Sequence, residues 1–202
     1  MKHASSRELF AHWNERRATR PAPERGDIDP MAIRHSLGDV FILAVDFVDE
    51  HRFRLAGTRI CGLFCRELKG ESFGASFDEK SRSLVQELLT VVTDENVGAV
   101  AGVTGRTDDG GEIELELLLL PLAHQGHARV RALGVLAAAE MPYWVGEKPV
   151  TTLELGAVRH VGPAVDTLAG RRFMTKAAAG ALRRRFMVYQ GGRSAPQGEK
   201  AS

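Results

Sequence analysis

Residues 97–122, VGAVAGVTGRTDDGGEIELELLLLPL, restrict the fold more than any other stretch of the chain. Two β-rich runs, 97–107 and 112–122, flank Thr107-Asp108-Asp109-Gly110-Gly111. Consecutive turn formers between apolar runs specify a hairpin. Alternation in the second run puts Ile113, Leu115, Leu117 and Leu119 on one face, where helices should cover them. The opposite face begins Glu112, Glu114, Glu116, a solvated row, and then turns apolar at Leu118 and Leu120. A leucine pair facing away from the main core requires its own cover. The chain must therefore fold around a sheet with helices on one face and a smaller cap on the other.

The N-terminus offers that cap. Ser5 and Glu8 have capping-box spacing, and Leu9, Phe10 and Trp13 give the following turns an apolar stripe. Residues 6–18 read as a short amphipathic helix, marginal alone, that must dock through Phe10 and Trp13 on Leu118 and Leu120. It would do so within one chain or by exchange between two protomers. RPAPERGDIDP reads as a linker, with Asp29 as N-cap and Pro30 at the first position of a short helix that Gly38 closes. VFILAVDFV (40–48) reads as a strand covered on both faces. After a turn at Asp49-Glu50-His51, RFRLAGT reads as a half-buried partner with Phe53 and Leu55 inward. A helical stretch holding Cys61 and Cys65 follows, and EKSRSLVQELLTVVTD (79–94) is the clearest helix. Beyond the hairpin, a turn around His124–His127 leads to a strand at 129–138, and VTTLELGAVRHV is a further strand-like piece.

This order of hairpins around a helical block gives an α+β domain with a five-stranded antiparallel sheet, helices on one face. The expected organisation is an N-terminal helix and linker (1–28), the sheet domain (29–140) and a C-terminal extension (141–202). Charge is the one uneven feature. The chain of 202 residues balances Lys+Arg 27 against Asp+Glu 26, so no global field points to nucleic acid or membrane. Between Arg171 and Arg193, however, lie seven Lys/Arg and no acid. No apolar stretch reaches the length of a membrane span and the start lacks a leader's apolar core, so a cytoplasmic setting is expected.

Strand–strand–helices–long helix–three strands is an order that resembles the PAS domain. FRLAGT followed by RELKG resembles its second strand and the E-L-x-G string before its long helix. W-x-x-x-R, DIDP, ELKG-x-SF, LLLPL, R-x-x-G-x-L and LELG-x-x-R together resemble a subfamily of mostly stand-alone PAS proteins common in alphaproteobacteria, over roughly residues 10–160. The resemblance implies sensing or protein contact and transfers no catalytic residue.

Against this background the cysteines are expected to be small core residues. They would share one helix face, lack a second pair for zinc, and have poor geometry for a disulfide. Light-sensing flavin PAS domains carry a reactive cysteine just after the E-L-x-G glycine; here Gly70 is followed by Glu71-Ser72-Phe73-Gly74. Helix 79–94 has no histidine for haem, and His35, His51, His124, His127 and His160 are expected to be solvated. No cofactor and no metal are expected, and no motif points to an enzyme. A small ligand would lie between sheet and helices, among Phe64, Phe73, Phe77, Leu84 and Leu88, where a dry core is the plainer reading. The resulting expectation is a PAS-type regulatory protein that forms a homodimer and contacts a regulatory partner. The alternative is an anionic partner (a cyclic dinucleotide, an acidic protein or, as the least expected of the three, nucleic acid) bound by Arg171, Arg172, Arg183, Arg184 and Arg185.

Overall fold

The computed structural model describes residues 1–44, 51–123 and 131–162. In chain order they form helix α1 (Ala4–Arg17), strands β1 (Val40–Ala44) and β2 (Arg52–Ala56), helices α2 (Thr58–Phe64) and α3 (Glu79–Asp94), and strands β3 (Gly98–Arg106), β4 (Glu112–Leu122), β5 (Arg131–Ala138) and β6 (Thr152–Val161). Among the described residues six strands make one sheet, in the order β2-β1-β5-β4-β3-β6, every pair antiparallel. The chain falls into two units, Met1–Arg172 and Phe173–Ser202, and the second lies wholly outside the described residues.

The β3–β4 hairpin forms as its sequence dictates. Thr107 N donates to Gly111 O at 2.9 Å, and Gly110 takes φ 88, a left-handed conformation that glycine adopts without a Cβ clash. Helix α3 occupies 79–94 as read, started by Asp78, whose carboxylate accepts Ser81 N at 2.8 Å. Its Val85, Leu88, Leu89 and Val92 pack with Leu115, Leu117 and Leu119 on the inner face of the sheet.

Four local expectations change. Helix α1 begins two residues earlier, and its N-cap is His3, whose Nδ1 accepts Ser5 N at 3.2 Å; Ser5 turns to another partner. Between Asp29 and Gly38 the chain makes i+3 turns, Ala32 N to Asp29 O and Ile33 N to Pro30 O, that end in a 3-10 turn at Leu37–Asp39 rather than an α-helix. Leu55 is 42% exposed, because the register slips between Ile42 and Leu43 and sends Leu55 to the face opposite Phe53. The sheet also has a sixth strand: LELGAVRHV pairs along β3, placing Leu153 and Leu155 in the core. Parts of the expected strand 40–48 and of 129–138, the turn at His124–His127, and all five tail arginines lie outside the described residues.

Candidate functional site

The inner face holds an aromatic cluster. Phe41, Phe53 and Phe77 gather around Phe73: Phe41 stacks on it, while Phe53 and Phe77 meet it edge to face with ring centroids 5.5 and 5.2 Å away. Of the five residues proposed to line a ligand space, Phe64, Phe73, Phe77 and Leu88 are buried members of this cluster. Leu84 is half-buried at its margin. Phe41 and Phe53 complete it; they sit far apart in sequence, and only the β1–β2 pairing carries both to Phe73. Beside the cluster, at the start of α3, a small depression is lined by His51, Ser72, Gly74, Ala75, Arg82 and Gln86. Arg82 Nε donates to Gly74 O there at 3.3 Å.

The outer face carries the second cluster. Leu118 and Leu120 have no exposed surface, and α1 covers them with Leu9 and Trp13 from the same chain. Phe10 is half-buried and stacks on Trp13 at 6.1 Å, while the Arg17 guanidinium lies 5.7 Å from the Trp13 ring. Trp13 Nε1 donates to Pro121 O at 2.8 Å, so this aromatic is fixed at both its apolar and its polar end.

Polar ties then run along one stripe of α1. Ser5 Oγ donates to Asp39 Oδ2 at 2.6 Å, Glu8 accepts from the Ser36 hydroxyl, and His12 Nε2 accepts Asp29 N at 3.0 Å. Spacing of three and four keeps these side chains in line, adjacent to the apolar stripe. Sequence reasoning missed them because their partners all lie in the 29–39 segment, where no periodicity marks them. Ser5-x-x-Glu8-x-x-x-His12 was the available clue. The helix start is pinned as well: Glu116 Oε2 accepts Lys2 N at 2.6 Å and Oε1 accepts His3 N at 3.0 Å. Burial acts to raise the Glu116 pKa, but these N–H groups outweigh it and hold the carboxyl below its ordinary value. Glu112 and Glu114 are exposed, as an outward row should be.

Other ionisable groups occupy structural positions. Arg59 reaches Asp39 from α2, Nε to Oδ1 at 2.6 Å and Nη2 to Oδ2 at 2.8 Å, and this hydrogen bonding raises the guanidinium pKa. Lys148 pairs with Asp109, and with the Thr107 hydroxyl it holds that carboxyl at about 2. Cys61 is half-buried, and burial pushes its thiol up; Cys65 is exposed, at the left-handed residue (φ 50) that ends α2, not in the core. The helix stops one residue short of the spacing that would align the two thiols. Among the described residues no group of three His, Cys, Asp or Glu could hold a metal ion. His51 and His160 are not solvated: His51 is buried, and His160 is half-buried with Nδ1 lacking a partner, so burial lowers its pKa.

No helix among the described residues is long and apolar enough to cross a membrane. No curated protein matches the chain. Similar solved structures include the dark structure of the blue-light photoreceptor Aureochrome1 LOV, at 12% identity and TM-score 0.42, covering 55% of this chain and 81% of that one. Another is an RNA-binding Light-Oxygen-Voltage receptor, at 16% identity and TM-score 0.40, covering 57% of this chain and 35% of that one. The PAS domain family model matches residues 1–137, which takes in the cap helix together with the first five strands, and the chain therefore belongs to the PAS domain family.

Proposed function

We propose that this PAS domain protein is a non-enzymatic sensory or regulatory protein of the cytoplasm, acting through dimerisation and contact with a regulatory partner. The observation that carries the reading is the construction of the outer face. A helix of 14 residues buries Leu118 and Leu120 yet is held along one side by hydrogen bonds to the 29–39 segment. Such an element can change its docking while the inner core stays packed, and it changes the surface the protein offers when it does. The motif order shared with the stand-alone PAS subfamily supports the same reading. A small apolar ligand among Phe64, Phe73, Phe77, Leu84 and Leu88 would be the input. Native mass spectrometry of the purified chain, with an absorbance spectrum, tests both parts. A dimer mass supports the assembly, and an added small-molecule mass supports a ligand. A monomer at every concentration up to the millimolar range would remove dimerisation from the proposal.

A further inference from the structure

Asp39 stands where the two faces of the sheet meet. It immediately precedes β1, is 4% exposed, and accepts hydrogen bonds from both directions. From the outer side comes the Ser5 hydroxyl of α1, at 2.6 Å. From α2 comes the Arg59 fork, at 2.6 and 2.8 Å, and Arg59 Nη2 also donates to His35 O at 2.9 Å. Gly38 makes room for that fork: a Cβ there would lie 2.8 Å from the Arg59 guanidinium carbon. Helix α2 in turn sends Ile60, Leu63 and Phe64 into the inner aromatic core. A shift of α2 therefore moves Arg59, and Arg59 shares its only described carboxylate partner with the first turn of α1.

We propose that Arg59–Asp39–Ser5 is a relay that couples α2, on the inner core, to the docking of the cap helix α1 on the opposite face. The geometry is suited to such coupling. A charged, bidentate pair is directional, so Asp39 follows the guanidinium closely. With both carboxylate oxygens engaged by Arg59, Oδ2 can keep Ser5 at 2.6 Å only while the fork stays in register. The other members of this polar stripe, Glu8 and His12, end on the same 29–39 segment, so displacement of Asp39 strains the stripe rather than a single bond. This relay deepens the regulatory reading given above, but it operates inside one chain and stands or falls apart from dimerisation.

Hydrogen exchange of the full-length protein tests it, with amides of β4 as an internal standard for global opening. Arg59→Lys keeps the charge and removes the fork. It should speed exchange in α1 by about threefold to tenfold, the range that the net loss of one hydrogen bond implies, while β4 keeps its protection. Coupling is reciprocal, so Ser5→Ala should speed exchange in α2. Combining Ser5→Ala with Arg59→Lys should give less than the product of the two separate effects on α1. Asp39→Asn is the more severe change; should it fail to fold, the two milder variants still decide. If Arg59→Lys loosens α2 and leaves α1 at its wild-type rate, or if Ser5→Ala leaves α2 unchanged, the relay does not exist.

Discussion

Trp13 and Pro121 are joined by a hydrogen bond of 2.8 Å from the indole Nε1 to the proline carbonyl, 108 residues along the chain and within the buried outer cluster. Proline 121 has no N–H of its own to give to the sheet, yet its carbonyl anchors the cap helix.

That bond makes two substitutions separable. Trp13→Phe keeps a ring but leaves the Pro121 carbonyl unpaired, which should cost about 1–3 kcal/mol. Trp13→Ala removes the ring as well and should cost about 3–5 kcal/mol, a fall in Tm of roughly 10 °C for a chain of this size. Thermal melts of both variants check the order. Equal melts would place the stabilisation elsewhere than Trp13.

The thiols should differ in reactivity. Cys65 is exposed, whereas burial raises the Cys61 thiol and so lowers its thiolate fraction at any given pH. Alkylation with iodoacetamide near neutral pH should modify Cys65 first, with Cys61 following more slowly. Replacing both with serine should leave metal content unchanged. Stoichiometric zinc lost in the double variant would contradict this.

His160 sets a pH dependence with a defined sign. Its folded pKa is lowered, so the unfolded chain takes up the proton first as pH falls. The stability it contributes is complete above the ordinary histidine value of about 6.5 and declines below it. The wild-type Tm should therefore drop more between about pH 7.5 and 5.5 than that of His160→Gln. Parallel curves for the two proteins would show that the imidazole is not responsible.

Strand β6 lies beyond the 1–137 family match but belongs to the core, since Leu153 has no exposed surface and Leu155 very little. Leu153→Ala should cost about 2–5 kcal/mol. A chain ending at Glu140 should lose cooperative melting, because it bares the β3 edge and removes Trp144, Val150 and Leu153 from the inner cluster. Cooperative melting of that fragment at the full-length temperature would make β6 an accessory.

The tail arginines remain a separate question for binding. A chain ending at Asp166 keeps every described strand but lacks Arg171, Arg172, Arg183, Arg184 and Arg185. Capture of a cyclic dinucleotide or an acidic protein by the full chain should weaken as salt shortens the screening length below about 8 Å, and should vanish in the shorter chain. Identical capture by both would place the interaction on the PAS domain itself.

Local chemistry made much of the architecture legible. Helix α3 was readable because its cap and apolar spacing are contained in 16 consecutive residues. The same holds for the β3–β4 hairpin, whose turn residues adjoin both strands. Even the cap was legible, since Leu118 and Leu120 demanded cover and Phe10 with Trp13 was the stretch able to give it. What depended on distant partners was not. Leu55 left the inner face because of a register slip that only the pairing with β1 creates. Cys65 left the helix by one residue, and β6 reached the sheet edge only because β3 offered an unpaired side. Ser5 looked like a helix cap by spacing, but its hydroxyl found a buried carboxylate 34 residues away, and Arg59 came to the same carboxylate from the other side. Periodicity and turn chemistry are properties of neighbours in sequence. Sharing of Asp39 by Ser5 and Arg59 is a property of where the sheet brings chain segments together, and only the tertiary structure decided it.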